Sequence, residues 1–158
     1  MAATPLVEVR RAIRDDVPHV VELVTAVLAE FGLSFGIGAK TDDALRELPG
    51  SYSNGGGMFW VAYVDGALAG TCGVYPIDEE TYELRKMYLL PTTRGLGLGK
   101  QLLDVAVDFT RERGGKRLVL DTAEQMTRAI AFYESHGFVR DDAQKRGERC
   151  TRGYRREL

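Results

Sequence analysis

Residues 94–100 read RGLGLGK, set between the apolar run MYLLP (87–91) and QLLDVAVDF (101–109). Glycine at 95, 97 and 99, after a strand-like run and before a helix-like one, indicates a main chain that approaches a ligand closely. Two nucleotide loops fail on spacing. A dinucleotide site requires GxGxxG opening an early βαβ unit, whereas these glycines form GxGxG and follow a hairpin. A phosphate loop requires GxxxxGK and then Ser or Thr; Gly99 and Lys100 are present, but Arg94 and Gln101 stand at the flanking positions. What remains is a helix N-terminus whose successive N–H groups bind an anion, with glycines letting a pyrophosphate lie against the backbone.

Outward from the loop, strands and helices alternate. Upstream, MFWVAYV (58–64) and ALAGTCGVY (67–75) flank Asp65-Gly66, a two-residue hairpin signal. TYELRKMYLL (81–90) reads as a third strand, and PIDEE as the turn before it. Downstream, Leu98, Leu102, Val105 and Phe109 recur at helical spacing, with Leu103 and Ala106 alongside, until Gly114-Gly115 stops the helix. KRLVLDT (116–122) reads as a buried strand and TRAIAFYESH (127–136) as a helix ended by Gly137. FVRDD and TRGYRREL are short polar strand candidates. At the other end, LVEVRRAI (6–13) has strand character. A helix follows over 17–31, with Asp15 or Asp16 as its cap, Pro18 in its first turn, and Val20, Leu23, Val24, Val27 and Leu28 on one face. FGLSFGIGAK leads to a weaker helix around DDALRELPG, and SYSNGGG reads as a loop.

Composition limits the function classes. The chain has 158 residues, about one domain's length, with no internal repeat or linker-like block. Hydrophobic content of 44% and charged content of 28% are ordinary for a globular protein, and a net charge of -2 predicts no general attraction to nucleic acid or anionic membrane. The apolar runs are too short to span a bilayer, and MAATPLVEVRR lacks a secretory pattern. Cys72 and Cys150 have no metal-ligand spacing, so no metal and a cytoplasmic location are expected.

Written from Arg94, the loop is R-x-x-G-x-G, and here the sequence resembles the GNAT superfamily of acyl-CoA-dependent N-acetyltransferases. ELRKMYLLPTTRGLGLGKQLL resembles that family's central segment, and IAFYESHGF its fourth helix and helix ending. The likeness is clear from about Phe59 to Val139. It implies an α/β fold of the α+β type. One domain would carry a central mixed, mostly antiparallel sheet of six to seven strands, opened in a V between the fourth and fifth, with about four helices around it. It implies acetyl-CoA as cosubstrate and a small-molecule or peptide primary amine as acceptor, with a homodimer possible.

The resemblance also assigns roles. Main-chain N–H groups of Arg94, Gly95, Leu96, Gly97, Leu98, Gly99 and Lys100 would hold the pyrophosphate of coenzyme A, with added charge from Arg94 and Lys100. Met87, Tyr88 and Leu89 would end a bulged strand that binds the pantetheine arm, and the N–H of Leu89 would polarise the thioester carbonyl. Glu83 lies 11 residues before Arg94, where some members carry a catalytic glutamate. An amine with a pKa of roughly 8 to 10 must lose a proton before it attacks, and Glu83 is the candidate base. The other reading is a carboxylate paired with Arg85 or Lys86. Tyr133 would protonate the departing thiolate, its ring projecting with Ala129; the other reading is a packed aromatic. Met126 stands where many members carry Asn, seven positions before the tyrosine. No cysteine nucleophile is required, so direct transfer in a ternary complex is expected. A non-catalytic acyl-CoA-binding module is the alternative. Phe31, Phe35 and Tyr52 are candidates for the acceptor pocket or for the core, and His19 and His136 for surface or packing positions in helices. The acidic Asp78, Glu79 and Glu80 form a solvated loop or an attraction for a cation.

Overall fold

The computed structural model describes residues 4–37, 40–93 and 95–158. Seven strands form one sheet: β1 (Val7–Arg11), β2 (Met58–Val64), β3 (Ala67–Pro76), β4 (Thr81–Leu89), β5 (Arg117–Thr122), β6 (Val139–Arg140) and β7 (Arg152–Glu157). Their spatial order is β1-β2-β3-β4-β5-β7-β6, antiparallel everywhere except between β4 and β5. The expected mixed, mostly antiparallel sheet is present. Its hairpin turns where Asp65-Gly66 does, with φ of 51° and 83°, the left-handed pair that matches the twist of the flanking strands.

Four α-helices flank the sheet: α1 (Val17–Glu30), the single turn α2 (Gly50–Ser53), α3 (Leu98–Glu112) and α4 (Thr127–Ser135). The two-residue period of β2 divides the core. Phe59 and Val61 face α1 and α2, whereas Trp60 and Ala62 face α3. Trp60 meets Phe109 edge-on with ring centres 5.5 Å apart. The predicted stripe of α1 is buried in full at Val20, Leu23, Val24, Val27 and Leu28.

Three local expectations need correction. Asp16 stands at the N-terminus of α1 without capping it. Its oxygens accept from the two terminal Arg10 guanidinium nitrogens, the Ile13 N–H and the Tyr63 hydroxyl, so they are spent fixing β1 to the next turn. The DDALRELPG segment lies in a 3-10 helix (Lys40–Glu47) that gives way to α2 at Pro49. SYSNGGG is loop only in part, because Tyr52 lies in α2, fully buried and edge-on to both Phe59 and Tyr75. Burial of one large ring overrides local composition there.

The feature that makes a site is a break in the sheet. On the β3 side of β4, Gly73 pairs with Arg85 and Thr71 with Tyr88, so Cys72 alone opposes Lys86 and Met87. That is a one-residue bulge. Lys86 adopts φ 53°, and its carbonyl accepts a 2.7 Å hydrogen bond from the Thr71 hydroxyl. On the β5 side, pairing runs through Thr81, Tyr82 and Glu83 and then stops. Beyond that point Leu120, Asp121 and Thr122 pair only with β7.

Candidate active site

Two clefts meet in this opening, one of about 430 Å³ towards α3 and one of about 640 Å³ towards the C-terminal loop. Met87, Tyr88, Met126, Ala129 and Tyr133 line both. A ligand entering from either side would therefore reach the same few atoms.

The smaller cleft is walled by the glycine loop, and its glycines have two different causes. Gly95 (φ 94°) and Gly97 (φ 75°) sit in left-handed conformations that other residues rarely adopt, with nothing within 4 Å of an added Cβ. At Gly99 a Cβ would come 3.1 Å from the Phe132 ring and 3.2 Å from Leu89, so its bareness lets α3 pack against β4 and α4. No side chain caps α3. The N–H groups of Leu98, Gly99 and Lys100 lack intrahelical acceptors, and Gln101 is the first to bond back, to the Gly97 carbonyl at 3.2 Å. Donors at the positive end of a helix suit phosphate oxygens. Lys100 lies on the rim, paired with Asp104 at 2.8 Å, and Arg128 and His136 line the same cleft.

Strand geometry supplies the next group. The Leu90 N–H donates to the Ala69 carbonyl at 2.9 Å. Alternation along a strand therefore turns the main-chain groups of Leu89 away from β3, towards the opening. Leu89 and Tyr88 are half-buried on the wall and Met87 is buried.

The larger cleft is ionic. Glu83, 5% exposed, bonds the Arg85 guanidinium beside it and lies 3.4 Å from that of Arg146 in the C-terminal loop. A second cluster sits next to it. Asp42, without solvent exposure, binds the Lys86 ammonium, the two terminal guanidinium nitrogens of Arg149 at 2.8 and 3.1 Å, and the Gly36 N–H at 2.6 Å. Burial opposes the Asp42 charge, but Arg149 and Lys86 outweigh it and hold this carboxyl below its ordinary 3.8. Burial pulls Lys86 down from its ordinary value, against the attraction of Asp42. The bulge, the 3-10 helix and the C-terminal loop are thus tied together by one carboxylate.

Tyr133 stands where the clefts join. It is 7% exposed, packed against the Phe132, Phe138 and Tyr154 rings. Among the described residues its hydroxyl makes no hydrogen bond. Burial pushes this phenol well above its ordinary value, so it carries its proton throughout the neutral range. Burial likewise raises both thiols, that of Cys150, beside Asp121, to about 12. Neither is a thiolate at neutral pH.

The opening gathers Glu83, Met87, Tyr88, Leu89 and Tyr133 with Gly95 and the loop residues 97–100, but not Leu96, while Arg94 lies outside the described residues. Leu98 is 1% exposed and belongs to the core, whereas Leu96 is exposed. Met126 lines both clefts from the N-terminus of α4. Tyr52 is core, Phe31 lines the smaller cleft, and Phe35 lies under the Arg46 guanidinium. His136 lies just past α4, stacked on Phe132 at 4.2 Å, and lines the smaller cleft; His19 is exposed. Asp78, Glu79 and Glu80 form an exposed turn whose Asp78 carboxylate accepts two main-chain N–H groups. Sequence reasoning missed Asp42, Arg146 and Arg149, which lie in segments without periodicity. Among the described residues there is no cluster of His, Cys, Asp or Glu fit to hold a metal, and no helix long and apolar enough to cross a membrane.

Comparison with known proteins agrees with this geometry. Residues 23–138 match the model of the Acetyltransferase (GNAT) family. The uncharacterized N-acetyltransferase YjgM of Escherichia coli K12 is 38% identical over 137 residues, 84% of this chain and 82% of that protein. An acetyltransferase of the GNAT family from Staphylococcus aureus Mu50 superposes with a TM-score of 0.89 at 24% identity, covering 97% of this chain and 99% of its own. PaiA N-acetyltransferase from Thermoplasma acidophilum, solved in complex with coenzyme A, gives 0.76 at 22% identity, covering 97% and 99%.

Proposed function

Because the chain belongs to the GNAT family and is an acyltransferase, we propose that it transfers the acetyl group of acetyl-CoA directly to a primary amine, both substrates being bound together. The observation that carries this reading is the meeting of the two clefts at Tyr88 and Tyr133, where β4 has left β5. One cleft has the uncapped helix and left-handed glycines that a pyrophosphate needs. The other has the ionic side chains that a polar acceptor needs.

Acetyl-CoA supplies an acetyl group already activated as a thioester. The loop amides from Gly95 to Lys100 bind and orient it, and the edge of β4 at Met87, Tyr88 and Leu89 takes its arm as an added strand. The Leu89 N–H donates to the carbonyl oxygen as negative charge develops there. Glu83 accepts the acceptor's ammonium proton, directly or through water. Tyr133 donates its proton to the sulfur as the bond to carbon breaks, and the proton that the attacking nitrogen sheds on becoming an amide returns the phenol to its neutral form, directly or through water. The neutral cysteines support direct transfer over an acyl-enzyme.

Thermal shifts with acetyl-CoA, coenzyme A, ATP and NAD test the ligand reading. Acetyl-CoA at about 100 times its Kd should stabilise the fold by roughly 2.7 kcal/mol. Stabilisation by ATP or NAD but not by acetyl-CoA would refute it.

A further inference from the structure

The placement of Arg146 beside Glu83 in the larger cleft bears on the substrate class. Arg85 and Arg146 share the single carboxylate of Glu83, while Lys86 and Arg149 share that of Asp42. Each cluster holds two positive charges against one negative. Asp121 adds a third carboxylate to this wall, but its Oδ2 accepts the N–H groups of Arg146 and Gly147 at 2.6 and 2.8 Å. Arg85, Lys86 and Arg149 are thus matched one for one by Glu83, Asp42 and Asp121, and Arg146, with its side chain 41% exposed, is the further cation at the mouth. Asp43 and Glu148 stand exposed at the rim, where water screens them. Arg146, whose one ion pair among the described residues is long at 3.4 Å, is the guanidinium left to take the anionic group of a substrate.

Position narrows the anion. Glu83, read above as the acceptor of the amine's proton, is in direct contact with two of these cations. An amine facing Glu83 would have its anionic group facing Arg146 only if the two groups are neighbours in the substrate. We propose that the acceptor is a free α-amino acid, its carboxylate bound by Arg146 with Arg85 and its side chain against the apolar wall of Leu28, Leu33 and Met87. The Arg146 side chain suits this task. It is 41% exposed, and its bond to Glu83 is long at 3.4 Å. A guanidinium presents two parallel donors to a carboxylate. This assignment rests on the transferase reading, and its test separates the two.

L-Methionine, L-leucine and L-phenylalanine are each compared with their carboxamides by thiol release from acetyl-CoA. The amide's amine is the less basic, so without recognition it would react faster at neutral pH. The acids are expected to exceed the amides in kcat/KM by on the order of 100-fold, as when a site built for a polar group meets an analogue lacking it. Arg146→Ala should shrink that ratio of acid to amide at least ten-fold, and Arg146→Lys should restore part of it. Amides that react as well as the acids, or a variant that lowers both equally, would overturn the carboxylate assignment and leave the transferase standing. Thiol release that no amine accelerates, acid or amide, would overturn the reading of transfer to an amine and this one with it.

Discussion

Glu83 pairs with Val119 and is the last residue of β4 to pair with β5; three residues later Lys86 takes its left-handed bulge conformation. The parted strands leave main-chain groups facing a gap lined by Tyr133. Glu83 lines the larger cleft, Leu89 the smaller one, and Tyr133 both.

Tyr133 gives the sharpest test of a side chain. Its hydroxyl makes no hydrogen bond to a described residue, so Tyr133→Phe should leave the melting temperature nearly unchanged. Loss of acid catalysis should lower kcat by roughly ten- to a hundred-fold or more. Because burial raises this phenol, the wild type should show no fall in rate from its ionisation below about pH 10. The pH–rate profiles of both proteins check this, and an unchanged kcat would leave Tyr133 a packing residue.

Glu83→Gln should lower kcat/KM by about 10²- to 10⁴-fold and move the optimum upward, because only amine already free of its proton then reacts. An identical pH–rate profile would remove Glu83 from the chemistry. Thiol release measured across pH with one amino acid decides it.

The loop separates binding from stability. Gly97→Val forces a β-branched residue into φ 75° and should weaken acetyl-CoA binding at least ten-fold. Leu96→Ala, at an exposed position, should leave it nearly unchanged. Leu98→Ala should instead cost about 2–5 kcal/mol of stability, since Leu98 is 1% exposed. Titration calorimetry and urea unfolding of the three variants distinguish these outcomes.

Acid sensitivity should come from the buried carboxylates. Asp16 and Asp42 both titrate below their ordinary value in the folded chain, so the stability they contribute is present above about pH 4 and is lost as pH falls through their folded values. Asp42→Asn leaves Lys86 and Arg149 buried without their counter-ion and should cost roughly 3–5 kcal/mol at neutral pH. It should also flatten the acid limb. Urea unfolding at a series of pH values measures both effects.

Much of this architecture was legible in local signals. The Asp65-Gly66 turn, the stripe of α1 and the glycines after MYLLP each act over a few residues, and each predicted its element. The acceptor side was illegible for the opposite reason. Asp42, Lys86 and Arg149 are far apart in sequence and meet only after the sheet has formed, in a buried network with no periodic trace. Leu98 shows a subtler limit. The sequence puts its side chain on the apolar stripe of α3 and only its main-chain N–H at the ligand. The side chain is indeed in the core, but no pattern in the sequence tests the main-chain role.

The central claim is direct transfer within the opening between β4 and β5. Its most direct test is a single turnover, with enzyme in excess over acetyl-CoA, quenched at intervals and weighed by mass spectrometry in the presence of an amino acid. The account predicts N-acetylated amino acid and free coenzyme A thiol in equal amounts at every time, with no acetyl group on the chain. An acetyl adduct on the protein that forms and decays as fast as product appears would contradict it.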